Sequence, residues 1–351
     1  MKNFKKLLTF IMILVMIMVQ SVGTSKNNVY ASANLSKGTP VKIAVFFDNA
    51  NAMYISFIKQ NLERIEKENE KKVKFTFFDA KDNQNIQNES IEKALTEDFD
   101  LFIINMITPN LKDVEGILSK IWRKNIPIIL NPDPSQEIIN FIKNYPKLVI
   151  VGADFEQSGT MAGKILANEW NSKKELIDKN HDNILQYIML KGRIGSPLTY
   201  LRTKYSILAL NEAGIKTEEI ASYNCEWLQD CAESSIESVF LKYGNKIEAI
   251  ISNNDAMAVG AVEALQKYGY NKGDKETTIP VVGIDGMPAA KELIQKGFMA
   301  GTAVVDPHDL VEALYCIGMN LASGSHPLEN TNYKFDNTGF TVHLVYKEYT
   351  K

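Results

Sequence analysis

Long apolar runs are nearly missing from this 351-residue chain, and so are cysteine, histidine and any excess of one charge. The net charge is -3, from 39 basic and 42 acidic residues. No Lys/Arg block stands out, which excludes the electrostatic footprint of a nucleic-acid-binding protein. The four histidines, His181, His308, His326 and His343, are scattered without metal-ligand spacing. There is no Walker A loop, no Gly-x-Gly-x-x-Gly after the first expected strand and no Gly-x-Ser-x-Gly elbow. Gly192-Arg193-Ile194-Gly195 has glycines but follows a central strand without a phosphate-binding helix start. Acidic pairs abound, as on any helical surface, and none is marked as an acid/base couple.

The one long apolar run, Leu7 to Val19, follows Lys2, Lys5 and Lys6 and precedes small residues. This is the pattern of a secretory signal and is short for a membrane span. Ala31 and Ala33 are the candidate cleavage positions, and an uncleaved N-terminal anchor is the alternative for residues 1–33. No cysteine lies near the run, so lipid attachment at a lipobox is excluded. The three cysteines, Cys225, Cys231 and Cys316, cannot all pair with one another. Cys316 sits among apolar residues on an expected helix, as a buried small hydrophobe would. A Cys225–Cys231 bridge is open to an exported chain, but two unpaired thiols are the expectation.

From Val41 onward, short β-branched runs alternate with amphipathic helical stretches. Strands are expected at 42–47, 73–79, 101–105, 127–131, 148–152, 183–191, 218–223, 248–252, 279–285 and 302–305. Helices are expected between nearly all of them, for example at 51–68, 114–125, 157–170, 232–243 and 256–268. Apolar strands separated by helices mean βαβ units and parallel sheets. So many strands exceed one comfortable sheet, which predicts two doubly wound parallel-sheet lobes joined by a hinge. The Pro127–Pro134 stretch reads as a strand leaving one lobe for the other. The N-terminal lobe is therefore expected to hold 41–130 and 306–330, and the C-terminal lobe 131–305 and 331–351.

In such sheets ligands bind at the carboxyl ends of strands. The residues there are Asp48, Asn49 and Asn51, then Asn105, then Asn131 and Asp133, then Asn253, Asn254 and Asp255, and finally Asp285. Any one of them reads as a helix cap, but five strand ends together read as a cleft for a polyhydroxylated ligand.

The stretch from Asp178 to Gln186 adds a second signal. Asp178, Asn180, Asp182 and Gln186 occupy positions 1, 3, 5 and 9 of a calcium-type loop, and position 7 (Ile184) needs only its carbonyl. Asn183 stands at position 6, where Asn tolerates the left-handed turn. Position 12 is Met189, inside an expected strand, so a bidentate carboxylate has to come from elsewhere.

The string from Asn245 to Leu265 (Asn-Lys-Ile-Glu-Ala-Ile-Ile-Ser-Asn-Asn-Asp-Ala-Met-Ala-Val-Gly-Ala-Val-Glu-Ala-Leu) closely resembles a segment of the periplasmic galactose/glucose-binding proteins. Ile279–Asp285, Gly214–Glu218, Ala300–Thr302 and Thr331–Asn337 resemble the same family, and the likeness runs from about Val41 to Tyr346. The family consists of type I periplasmic binding proteins that serve sugar import through ABC transporters, and chemotaxis. The resemblance implies a Ca2+ site formed by Asp178, Asn180, Asp182, the Ile184 carbonyl, Gln186 and a bidentate Glu248, with a structural role. It implies a sugar held between the rings of Tyr54 and Trp227 and bonded by Asn105, Arg202, Asn254 and Asp285. The planar guanidinium of Arg202 suits two adjacent hydroxyls. The chain departs from the family at Ala52, Ser196, Leu198 and Val305, which makes the cleft more apolar and leaves the sugar unnamed.

The expectation is thus an exported, monomeric, non-enzymatic sugar-binding protein that closes on a monosaccharide and docks on a membrane ABC permease. The alternatives are a sensory subunit serving a histidine kinase or chemoreceptor, and a scaffold with a retuned or lost sugar site. A glycosidase would need two paired carboxylates, which Asp285, Asp48 and Asp133 do not signal. A transcription factor would need a DNA-binding helix pair where the export signal stands.

Overall fold

The computed structural model describes residues 39–131 and 134–351. The expected export signal at 1–33 and the cleft candidate Asp133 lie outside the described residues. The strands, in chain order, are β1 (Val41–Phe47), β2 (Val73–Asp79), β3 (Leu101–Ile104), β4 (Ile128–Leu130), β5 (Leu148–Ala153) and β6 (Ile184–Lys191). They continue with β7 (Lys216–Asn224), β8 (Ala249–Ser252), β9 (Val281–Ile284), β10 (Gly301–Val304), β11 (Thr341–Leu344) and β12 (Lys347–Thr350). The helices are α1 (Met53–Glu68), α2 (Gln84–Ala94), α3 (Glu115–Lys124), α4 (Gln136–Ile142) and α5 (Phe155–Ile177). After them come α6 (Pro197–Glu212), α7 (Gln229–Tyr243), α8 (Asp255–Lys267), α9 (Pro288–Lys296) and α10 (Pro307–Ala322).

Two six-stranded sheets result, ordered β11-β5-β4-β3-β1-β2 and β12-β10-β9-β8-β6-β7. Every pairing is parallel except that of β10 with the edge strand β12. Central strands such as β4 and β8 are buried at every residue, as parallel strands covered by helices on both faces must be. The two doubly wound lobes are as expected from the sequence.

The lobe boundaries differ from expectation. β5 and β11 belong to the first sheet and α4 packs in the core beside it, so residues 136–153 and 341–344, expected in the C-terminal lobe, lie in the N-terminal one. The chain does not cross at the proline-rich stretch; it turns into α4 and returns to the same sheet. The sheets are instead joined by three crossings, after Ala153, around Val305 and between Leu344 and Lys347. β11 and β12 were not legible because, unlike the equally short inner strands, they are edge strands with exposed residues and form no continuous apolar run.

Helix α5 positions the site from behind. Gly159 and Gly163 let it lie against α6 so closely that an added Cβ would fall 2.7 Å from the Arg202 carbonyl oxygen and 2.3 Å from that of Ser206. Larger residues there would push α6, and Arg202 with it, toward the cleft.

Candidate functional site

The carboxyl ends of the two sheets face each other across a cavity of about 190 Å³. Its wall includes all six residues expected to meet a sugar: Tyr54, Asn105, Arg202, Trp227, Asn254 and Asp285. Ala52, Ser196, Leu198 and Val305 line it too. The structure therefore gathers residues spread over more than two hundred positions of the chain around one volume.

Arg202 is the hub. It is buried, with Nη1 donating to the Asn253 carbonyl at 2.7 Å and Nη2 donating to Asp285 Oδ1 and to the Tyr346 hydroxyl oxygen, each at 3.1 Å. The fork expected to bond two ligand hydroxyls is thus already engaged by protein. What remains is Nε, buried and without a partner among the described residues. Asn105 Oδ1, at the end of β3, is likewise buried and unpartnered. The cavity thus has one buried unpartnered donor and one buried unpartnered acceptor, one from each lobe.

Trp227 sits in a turn after β7 where both Glu226 and Trp227 take left-handed backbone angles, with φ of 51° and 71°. Its ring lies directly on the backbone of Gly192, where an added Cβ would stand 2.1 Å from a ring carbon. The Arg202 guanidinium lies 6.0 Å from the ring centroid, within cation–π range. The turn is closed by a Cys225–Cys231 disulfide, which corrects the expectation of two unpaired thiols. The sequence left this open because the fold, not the spacing, brings the two Cα atoms to 5.3 Å. Cys316 is buried on α10, as expected.

Asn254 serves mainly as a cap. Its Oδ1 accepts from the Met257 amide at 3.0 Å and its Nδ2 donates to the Trp227 carbonyl at 3.2 Å, so it holds α8 and the Trp227 turn together. The wall opposite is the start of α1, from Ala52 to Ile55, where the Ala52 cap position offers no side-chain bond to the first-turn amides.

Burial governs the acids. It pushes the Asp285 carboxyl up to about 6 although Arg202 opposes it. Asp48 also rises to about 6 through burial, against the Asn49 amide and Arg193. Asp255, fully buried behind the wall, is pushed well above the carboxylate range by burial and by Asp285, and accepts from Thr302 Oγ1 and the Met287 amide, both at 2.7 Å. Burial raises the Tyr54 hydroxyl above its ordinary value, so it stays protonated.

Two contributors were missed in the sequence. Tyr346 lies at a lobe crossing that carried no strand signal. Arg193 was passed over because its glycine neighbours drew a phosphate-loop comparison, whereas the charge between them was the signal. Its guanidinium contacts Asp82 and lies 3.8 Å from both Asp48 and Glu226.

The loop before β6 has its own polar cluster. Asp178 accepts from the Asp182 and Asn183 amides, each at 3.1 Å, and Asn183 takes the left-handed turn with φ of 62°. Asp182 Oδ2 accepts from the side-chain amides of Asn180 and Gln186, each at 2.9 Å. Glu248, 1% exposed, reaches the loop from just before β8 and accepts from the Lys179 amide at 2.8 Å and the Gln186 amide at 3.0 Å. Among the described residues no Lys or Arg forms an ion pair with these three carboxylates; Lys179 Nζ turns to the Ile247 carbonyl at 3.3 Å. All five side chains expected to surround a cation, together with Ile184, thus lie on one connected loop and its partner strand. Their all-oxygen chemistry fits a hard cation. As they stand, however, no three acidic, His or Cys groups among the described residues are arranged to hold a metal.

A family model for the periplasmic binding protein domain matches residues 43–326. The D-galactose/methyl-galactoside binding periplasmic protein of Haemophilus influenzae is 32% identical over 310 residues, covering 87% of this chain and 88% of that one. Solved structures share the fold. An ABC transporter periplasmic solute-binding protein of Actinobacillus succinogenes with bound D-allose has a TM-score of 0.72 at 20% identity, covering 89% of this chain and 98% of that chain. A solute-binding protein of Bacillus halodurans with bound myo-inositol has a TM-score of 0.70 at 21% identity, covering 90% and 96%. These relatives are sugar- and solute-binding proteins and not enzymes, and the chain belongs to the periplasmic sugar-binding protein family.

Proposed function

We propose that this protein is exported, captures a galactose- or glucose-like monosaccharide between its lobes and delivers it to an ABC permease. The observation that carries this reading is the pair of unpartnered buried atoms, Asn105 Oδ1 and Arg202 Nε, on one cavity with Trp227 and Tyr54. A pyranose offers an apolar face for the rings and hydroxyls for both atoms. Melting the protein against a panel of monosaccharides tests it. A ligand at 1,000 times its dissociation constant adds about 4 kcal/mol, which moves the midpoint by several degrees. A panel without any shift would remove sugar binding from the account.

The same reading includes a structural calcium ion held by Asp178, Asn180, Asp182, the Ile184 carbonyl, Gln186 and Glu248. Three carboxylates with no direct ion pair among the described residues support it, since Asp178 and Asp182 repel the Glu248 charge. The ion would neutralise them and tie the loop to residue 248, far away in sequence. Asn180 and Gln186 now direct their amide nitrogens at Asp182, so binding requires each to present its oxygen.

A further inference from the structure

The cavity wall also says which kind of sugar fits, given that the site binds sugar at all. Its cations are already engaged: Arg202 is paired with Asp285, and the single Arg193 faces three carboxylates, Asp48, Asp82 and Glu226. An anionic ligand would meet this excess of carboxylates with no free cation to pair it, so the site disfavours one. Most polar side chains of the wall are also engaged. Both Nη atoms of Arg202, both ends of Asn254 and the Asn131 amide nitrogen, which donates to the Val151 carbonyl at 2.6 Å, bond protein. The hydrocarbon of Met53, Met106, Leu198, Val305, Leu310 and Leu344 makes up much of the remaining surface. A hydroxyl buried against such a surface loses its water and gains nothing.

We infer that the cleft selects a 6-deoxyhexose, with a methyl group where the parent sugar carries a hydroxymethyl, over both the parent hexose and the corresponding hexuronate. The methyl rests on the apolar wall around Leu198 and Val305, while ring hydroxyls reach Asn105, Arg202 Nε and the uncapped first-turn amides of α1. Leaving one buried hydroxyl unpaired weakens binding on the order of tenfold, and an unpaired carboxylate weakens it more. Selectivity in this cleft is therefore set by what its wall cannot bond.

The test uses sugars that differ only at carbon 6. Calorimetric titration of the protein with 6-deoxy-D-galactose, D-galactose and D-galacturonate, and with the three matching D-gluco compounds, should give a deoxy sugar at least tenfold tighter than its parent. The uronate should be weakest. In Leu198→Asn and Val305→Asn the deoxy preference should shrink to less than threefold. If either variant does not fold, the unmodified protein still decides the matter. A parent hexose binding as tightly as its deoxy form, or a uronate binding best, would overturn the inference while leaving sugar binding in place. Binding of none of the six would overturn both.

Discussion

The guanidinium of Arg193 on the C-terminal lobe contacts the carboxylate of Asp82 on the N-terminal lobe, so an ion pair spans the mouth of the cleft. Asp82 is further held by Asn49 Nδ2 at 2.6 Å, and Asp48 lies 3.8 Å from the same guanidinium. The pair can form only when the lobes stand together, so its free energy adds to that of the closed state whether or not a ligand is present.

Removing this pair should favour opening. Because the groups are partly exposed, the effect is modest, on the order of 1 kcal/mol, or about fivefold in apparent affinity. Arg193→Ala should bind sugar more weakly by that factor and lose most of the salt dependence of binding. Small-angle scattering of the ligand-free variant should show a larger radius of gyration than the parent. An unchanged radius and unchanged salt dependence would mean that Arg193 takes no part in closure.

The buried acids make a signed pH prediction. Asp48 and Asp285, both raised to about 6, hold protons in the folded protein at pH values where the unfolded chain has released them. Their contribution to stability is fully present below about pH 4 and is lost as the pH rises through about 6. Between pH 7 and 5 these groups therefore add stability, of order 1–3 kcal/mol each at most. Sugar binding runs the other way, because a protonated Asp285 is a weaker acceptor. Melting and binding curves measured across pH 5 to 8 should slope in opposite directions, and Asp48→Asn should flatten part of the stability slope.

Calcium dependence is best probed at Asp182. Glu248 is a poor choice, because both its oxygens accept buried backbone amides and Glu248→Gln would destabilise the loop with or without metal. Asp182→Asn keeps an oxygen for the Ile184 amide and removes a charge. Its new nitrogen can be met by turning the Asn180 and Gln186 side-chain amides, a freedom the buried backbone amides at Glu248 do not have. It should lower calcium affinity at least tenfold and shrink the calcium-induced rise in melting temperature, with little change in chelator. Equal melting of the parent protein in calcium and in chelator would count against the ion.

The Cys225–Cys231 bridge should matter to binding more than to folding. It closes a loop of six-residue separation, so chain-entropy arguments give it only about 2 kcal/mol. Yet it fixes the turn that carries Trp227. Paired Cys→Ser substitution should lower the melting temperature by a few degrees and weaken sugar binding severalfold, as should reduction of the parent protein.

The extent of sequence legibility follows from which interactions are local. Strands such as Val73–Asp79 and helices such as Met53–Glu68 were readable because burial on one or both faces writes a period into the sequence. The strand-end polar residues were readable for a related reason: carboxyl ends of parallel strands share one edge. Asn254 and Asp285 therefore fall together after β8 and β9, and Asn105 ends β3 on the facing edge of the other sheet. Partner assignments were not readable. That both Nη atoms of Arg202 are engaged by Asn253, Asp285 and Tyr346 depends on segments that meet only after three lobe crossings form. The lobe boundary at 131 was misplaced because Pro132 and Pro134 interrupt the pattern as strongly as a domain linker would.

The proposed function requires that sugar close the lobes over Trp227. The most direct measurement is tryptophan emission of the purified protein, in excess calcium, titrated with the 6-deoxyhexoses and their parent hexoses beside Trp227→Ala. The account predicts a saturable change in emission with at least one of these sugars, lost in the variant while its ligand-free melting temperature stays near that of the parent. Unchanged emission with every sugar, or an equal response in Trp227→Ala, would contradict it.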